Sequence, residues 1–263
     1  MPTMNAQASD IVQNPWFERL ARCGHIVSGV LHLLIGYIAI RIALGKGGSA
    51  DQSGAFRELT SKTGGTLVMW VVMVAFIALA VWRLVEGAVG KRSESKEVSV
   101  MDRVKAFSLA VLYFAFAWSA FTFAKGAGKS SSEQNAGLTA RAMESGIGKL
   151  AIVVVAGVFI GVGGYHCYKG ISKKFMKDLK SPGTVEETLG TIGYTAKGLA
   201  LIGIGVLFIA ALFTEDPGKA TGMDGALKTL REQAFGTILL VVAGFGIAVY
   251  GLYSFVMAKS AKM

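Results

Sequence analysis

Six runs of apolar residues, each about long enough to cross the hydrocarbon of a bilayer, alternate with short polar segments along this chain. They are His25–Leu44, Leu67–Val89, Val104–Ala124, Leu150–Cys167, Ala196–Phe213 and Thr237–Met257. Lipid gives backbone N–H and C=O groups no partner, so such a run must close its hydrogen bonds internally, as a helix. No segment alternates with the two-residue period of a barrel strand. The pattern predicts an all-α integral membrane protein with six transmembrane helices.

The polar segments repeat too. Gly54 and Gly65, Gly137 and Gly148, then Gly225 and Gly236 keep one separation, and each pair stands just before the second apolar run of its unit. Two spans return the chain to the side it left, so three two-helix units lie parallel. A pseudo-threefold axis along the membrane normal is the expected arrangement. The chain divides into a polar leader over 1–15 and units over 16–92, 99–175 and 186–258. Between the spans of the third unit, Ala226, Leu227, Leu230 and Ala234 fall at helical spacing against Lys228, Arg231 and Glu232. That predicts a short amphipathic helix in the headgroup plane, and its three copies form a collar on one face.

Small residues recur at matching positions of the odd runs: Gly29 and Gly36, Ala110 and Ala117, Gly198 and Gly205. The even runs carry Gly157 with Gly161, and Gly244 with Ala248. Apolar side chains gain nothing by leaving lipid tails, so helices in a membrane associate where small residues let backbones approach. These positions are therefore expected at helix contacts. Trp82, Tyr165 and Tyr253, equivalent between units, are expected in the interfacial aromatic belt.

Of the 263 residues 52% are hydrophobic and only 17% charged, which suits a polytopic membrane protein. The net charge of +10 is unevenly placed. Lys and Arg gather beside the helix ends that share the termini, from Arg19 and Arg22 through Lys169–Lys180 to Lys259 and Lys262, with Lys197 assigned to the start of the fifth run. By the positive-inside rule both termini face the cytoplasm of a bacterial inner membrane. The same charges suit anionic lipid headgroups. No basic stripe interleaved with aromatics points to nucleic acid. Cys23 and Cys167 form neither a zinc motif nor an expected disulfide in that compartment.

Ionisable groups within spans are the candidates for chemistry. Arg83 and Glu86 lie one turn apart on the second run, and His166 and Lys169 hold the equivalent positions of the fourth. Glu86 can pair with Arg83 or, across the bundle, with Lys169, and a structural ion pair is the favoured reading over a transport gate. His32 sits deeper, on the first run. His32 and His166 are the only histidines placed to clamp a haem from two helices, a weak candidate pair. No Asp, Glu or Cys joins His32 at metal-ligand spacing, and no hydrolase elbow, phosphate loop or pair of catalytic carboxylates is present. The residues point to no cofactor and to a protein that is not an enzyme.

Three tandem helix pairs, the Arg22-x-Gly24-x(4)-Gly29 opening and the Gly225-Ala-Leu to Phe235-Gly236 collar resemble a bacterial group. It is the uncharacterised family of six-span membrane proteins built from three copies of a transmembrane helix-pair domain of unknown function. The second unit departs from the pattern, with Lys105 where the opening glycine stands. The resemblance implies fold and location and carries no functional residue. Solute carriers of the mitochondrial type share only the three-pair architecture. All four prolines here lie outside the spans, so the proline-kink motif of those carriers is missing. The expected role is a non-enzymatic accessory or scaffold protein that binds lipid or a membrane partner. The alternatives are a small transporter or channel around the pseudo-threefold axis and, more distantly, a haem-binding redox subunit.

Overall fold

The computed structural model describes residues 15–89, 100–180 and 183–262. Residues 1–14 of the polar leader and Lys91, Arg92 and Lys96 of the first inter-unit loop lie outside them. Six helices are long and apolar enough to cross a membrane: α1 (Pro15–Ala43), α3 (Gly65–Val89), α4 (Val100–Ala124), α6 (Gly146–Ile171), α7 (Thr184–Thr214) and α9 (Gly236–Ser260). Between the spans of each unit lies a collar helix, α2 (Gln52–Thr60), α5 (Ser131–Met143) or α8 (Met223–Arg231). Two of the collar helices start on side-chain caps: Asp51 accepts from Gly54 N–H, and Ser130 accepts from Glu133 N–H, whereas α8 follows Gly222 without one.

The second glycine of each register pair has one physical cause in all three units. A Cβ on Gly65, Gly148 or Gly236 would run into a backbone carbonyl oxygen of the preceding collar helix, that of Leu59, Ala142 or Arg231. Only a residue without a side chain lets the chain fold so tightly from collar into span. The first glycines share no such cause. Gly54 lies on the Ser49 carbonyl and Gly225 on the Thr221 hydroxyl, whereas Gly137 has nothing near it.

Each even span packs along the odd span of a neighbouring unit, α3 on α4, α6 on α7, and α9 on α1. The two spans of a single unit touch less, and α4 and α6 share no extended contact among the described residues. Small residues build these cross-unit seams. A Cβ on Gly36 would stand 2.5 Å from the carbonyl oxygen of Gly244, and one on Gly29 3.0 Å from that of Gly251. On the α6–α7 seam, Gly198 faces the Gly163 carbonyl and Gly205 the Ala156 carbonyl at 2.6 and 2.7 Å. The α3–α4 seam combines small residues with rings: Ala110 and Ala117 are buried on α4, and the Phe76 ring meets Phe116 at 5.4 Å and Tyr113 at 6.1 Å.

Three sequence expectations are corrected. Gly157 and Gly161 are exposed, and a Cβ on either meets nothing within 4 Å; Ala156, Gly163 and Gly170 are the buried small residues of α6. Spacing alone could not say which of two glycine faces on one helix would find a neighbour. Replacing Gly161 with leucine is therefore expected to leave unfolding in detergent unchanged, or to raise stability by up to about 1 kcal/mol through helix propensity. Tyr253 is fully buried rather than interfacial, because the segment after α6 folds back over it. And α7 begins at Thr184, twelve residues before the apolar run, which carries Lys197 into the body of a span.

The collar is joined at its centre. Asp51 lies 4% exposed and Asp224 3% exposed, where the N-terminal turns of α2, α5 and α8 converge. Asp51 accepts from Ser53 Oγ (2.7 Å) and Gly54 N (2.8 Å). Asp224 accepts from Ala50 N and Lys228 Nζ at 2.8 and 2.7 Å. The Ser132 hydroxyl lies between the two carboxylates, 3.3 Å from Asp51 and 3.4 Å from Asp224. Negative charge at helix N-termini is favoured by their unpaired N–H groups, which explains how two carboxylates tolerate this proximity.

Candidate functional site

The polar residues that sequence singles out separate into two groups in space. Arg83 and Glu86 bond to one another on α3, with the guanidinium also 4.6 Å from the centre of the Trp82 ring. Lys169 turns away from them and pairs with Asp178 at 2.7 Å. The cross-bundle Glu86–Lys169 pair is thus replaced by two separate ones, Arg83–Glu86 within α3 and Lys169–Asp178 between α6 and the turn that follows it.

The second group is a polar centre inside the bundle, toward the end that carries the termini. Gly190, Tyr194, Lys197, Ile204 and Ala211 recur at helical spacing along α7, and all but Lys197 are buried. This is the inward stripe of that helix. The Lys197 ammonium donates to the Tyr250 hydroxyl of α9 at 3.1 Å and stands 4.2 Å from the centre of that ring. Tyr250 lies about 15 Å along α9 from its end, at ~1.5 Å per residue, well within a hydrocarbon layer of about 30 Å.

Other rings extend from Tyr250. His32 of α1 packs 4.8 Å from Tyr250, Tyr250 lies 5.6 Å from Tyr194, and Tyr194 lies 5.7 Å from His166 of α6. Tyr250 and Tyr194 thus link the His32 and His166 imidazoles in a chain of ring contacts.

Backbone bonds fix both rings. His32 Nδ1 lies 2.7 Å from the Ser28 carbonyl oxygen and His166 Nδ1 2.8 Å from that of Val162, each one turn back on its own helix. A carbonyl only accepts, so each Nδ1 carries the hydrogen. The Nε2 of a neutral ring is then left with a free lone pair.

A floor closes the centre toward the termini. The 3-10 turn Lys174–Asp178 puts Phe175, fully buried, against Tyr194 and Tyr253 at 5.4 Å each. The turn is tied to the C-terminus by Lys180 N to Ser260 O (2.8 Å) and Lys262 N to Asp178 O (2.9 Å). Above it, the hydroxyls of Thr191, Thr195 and Tyr253 are buried without a hydrogen-bond partner.

The set holds a cation, phenols and imidazoles. Among the described residues, no group of three or more His, Cys, Asp and Glu side chains could hold a metal ion, and no carboxylate pairs with Lys197. A cation beside a phenol hydroxyl has the chemistry to hold an anion. Sequence reading missed Lys197, Tyr194 and Tyr250. One signal was present: Gly183-Thr-Val-Glu186-Glu187 reads as a helix start with acidic residues in the first turn.

The Domain of Unknown Function DUF1206 matches this chain three times in tandem, over residues 23–90, 104–173 and 192–261. An uncharacterised protein of Bacillus subtilis (strain 168), YxxB, is 26% identical over 249 residues, which cover 91% of this chain and 90% of the relative. No solved structure matches the chain.

Proposed function

We propose, for a chain that belongs to the DUF1206 family in three tandem copies, a non-enzymatic accessory or scaffold role in a bacterial inner membrane. Both termini face the cytoplasm, and that side holds anionic lipid headgroups. The observation behind this reading is the basic plate formed by the 3-10 turn and the C-terminus. Lys173, Lys174, Lys177, Lys259 and Lys262 are all exposed there, on backbone fixed by the bonds to Ser260 and Asp178. Tyr168 and Ile171 lie exposed beside them, and the Lys174 ammonium stands 4.5 Å from the centre of the Tyr168 ring. An aromatic and an apolar anchor next to fixed lysines suits the boundary between acyl chains and headgroups.

Each lysine near an anionic surface contributes about 1 kcal/mol. Neutralising Lys173, Lys174 and Lys177 together as glutamines is expected to lower retained phosphatidylglycerol at least fivefold, read by native mass spectrometry of the purified chain. Equal retention by wild type and variant would refute the lipid-binding reading.

A transporter is the second reading, favoured by the inward-facing Lys197. A conducting route there has to pass Phe175 and Tyr253, both fully buried.

A further inference from the structure

An ammonium within hydrocarbon is expensive to hold without a counter-charge. Lys197 has a phenol hydroxyl and a ring face as partners, and neither carries negative charge. The groups around it specify what would complete the site. Tyr250 accepts from Lys197 and keeps its own proton to donate. His32, with Nδ1 committed to backbone, offers Nε2 as an acceptor. The complement is a group with one negative charge, several acceptor oxygens and an O–H.

We propose that Lys197, Tyr250 and His32 form an intramembrane site for a singly ionised phosphomonoester. Lys197 neutralises its charge, Tyr250 donates to a phosphoryl oxygen, and His32 Nε2 accepts the P–OH hydrogen. A carboxylate satisfies the ammonium and gives the imidazole nothing. A phosphodiester, the headgroup linkage of phosphatidylglycerol, also lacks the P–OH. A phosphomonoester loses its second proton near pH 6 in water. Beside one cation in a low-dielectric interior the dianion would leave a net charge, so the singly ionised form is the one accommodated. A phosphoryl group of this charge reaches the site as the headgroup of a phosphatidic-acid lipid or as singly ionised inorganic phosphate, which offers the same acceptor oxygens and a second P–OH. The site is separate from the exposed lysines of the basic plate and stands without them.

The full chain is placed in nanodiscs holding equal phosphatidic acid and phosphatidylglycerol in a phosphatidylcholine background, and retained lipid is counted by native mass spectrometry. Inorganic phosphate binding is measured in parallel by equilibrium dialysis in nanodiscs without acidic lipid. The wild type is expected to prefer phosphatidic acid at least tenfold, or to bind inorganic phosphate; the first identifies a lipid source and the second a free one. Either signal should vanish in Lys197→Gln, persist in Lys197→Arg, and fall about threefold or more in Tyr250→Phe. Circular dichroism checks each variant, and Tyr250→Phe decides the matter if Lys197→Gln does not fold. Equal retention of the two lipids without phosphate binding, no binding of either ligand, or binding unchanged in a folded Lys197→Gln would each overturn the site. The plate variant Lys173/Lys174/Lys177→Gln should keep the preference for phosphatidic acid, so failure of one reading is distinguishable from failure of the other.

Discussion

Replacing Gly36 with leucine is expected to destabilise the protein by about 3 kcal/mol or more, at the upper end of what overpacking produces. A Cβ alone would stand 2.5 Å from the Gly244 carbonyl oxygen and 2.9 Å from the Ala248 backbone nitrogen. Those atoms belong to helix backbone and cannot swing aside as a side-chain tip would. Leucine adds three more carbons, so α1 and α9 must separate, and the seam closing the first unit on the third opens with them. Gly36→Ala places only the first carbon and should show a smaller loss of the same sign. Thermal unfolding in detergent, followed by tryptophan fluorescence, reads both. Stability equal to wild type in Gly36→Leu would mean that α1 and α9 do not meet as described.

The next largest effect is expected at Asp224. Its carboxylate is the partner of the buried Ala50 N–H, of Lys228 and, more loosely, of Ser132. Alanine there leaves the amide of Ala50 buried with no acceptor and removes the charge that three helix N-termini favour. A buried donor left unsatisfied costs about 1–3 kcal/mol, and losing a charged partner adds to it. The expected loss is about 2–4 kcal/mol. Asp224→Asn keeps an oxygen for Ala50 and should lose about half as much. Limited proteolysis of the collar loops gives a second readout, since the three short helices are joined through this carboxylate and Asp51. A collar as resistant as wild type in Asp224→Ala would show that its helices are held by lipid rather than by one another.

The spans were legible because membrane-length apolar runs admit one backbone solution, and the triplication because Gly65, Gly148 and Gly236 meet the same steric demand in each unit. The partner of each span was not. Gly29, Gly36, Gly198 and Gly205 mark a contact face, and nothing in their spacing says that the neighbour belongs to another unit. Gly157 and Gly161 show the limit most clearly, since a small-residue face is necessary for close approach and does not create a neighbour. The polar centre was half legible. His32 and His166 stand out as ionisable groups in spans, yet Lys197 lay at the apparent edge of its apolar run and Tyr250 looked like ordinary span composition. What joins them is the crossing of α1, α6, α7 and α9, a tertiary fact. The Glu86–Lys169 alternative failed for a related reason: Asp178 is brought beside Lys169 by a turn that hydropathy does not register.

The central claim, three hairpins that return both termini and the basic plate to one side, is tested most directly by cysteine accessibility. With Cys23 and Cys167 changed to serine, single cysteines go at Lys62, Lys129 and Lys219 on the collar side and at Lys174 and Lys262 on the other. A membrane-impermeant maleimide added to intact cells should label the three collar positions, and should reach Lys174→Cys and Lys262→Cys only after the membrane is opened. Labelling of collar and terminal positions alike in intact cells, or a split among the three collar positions, would contradict the account.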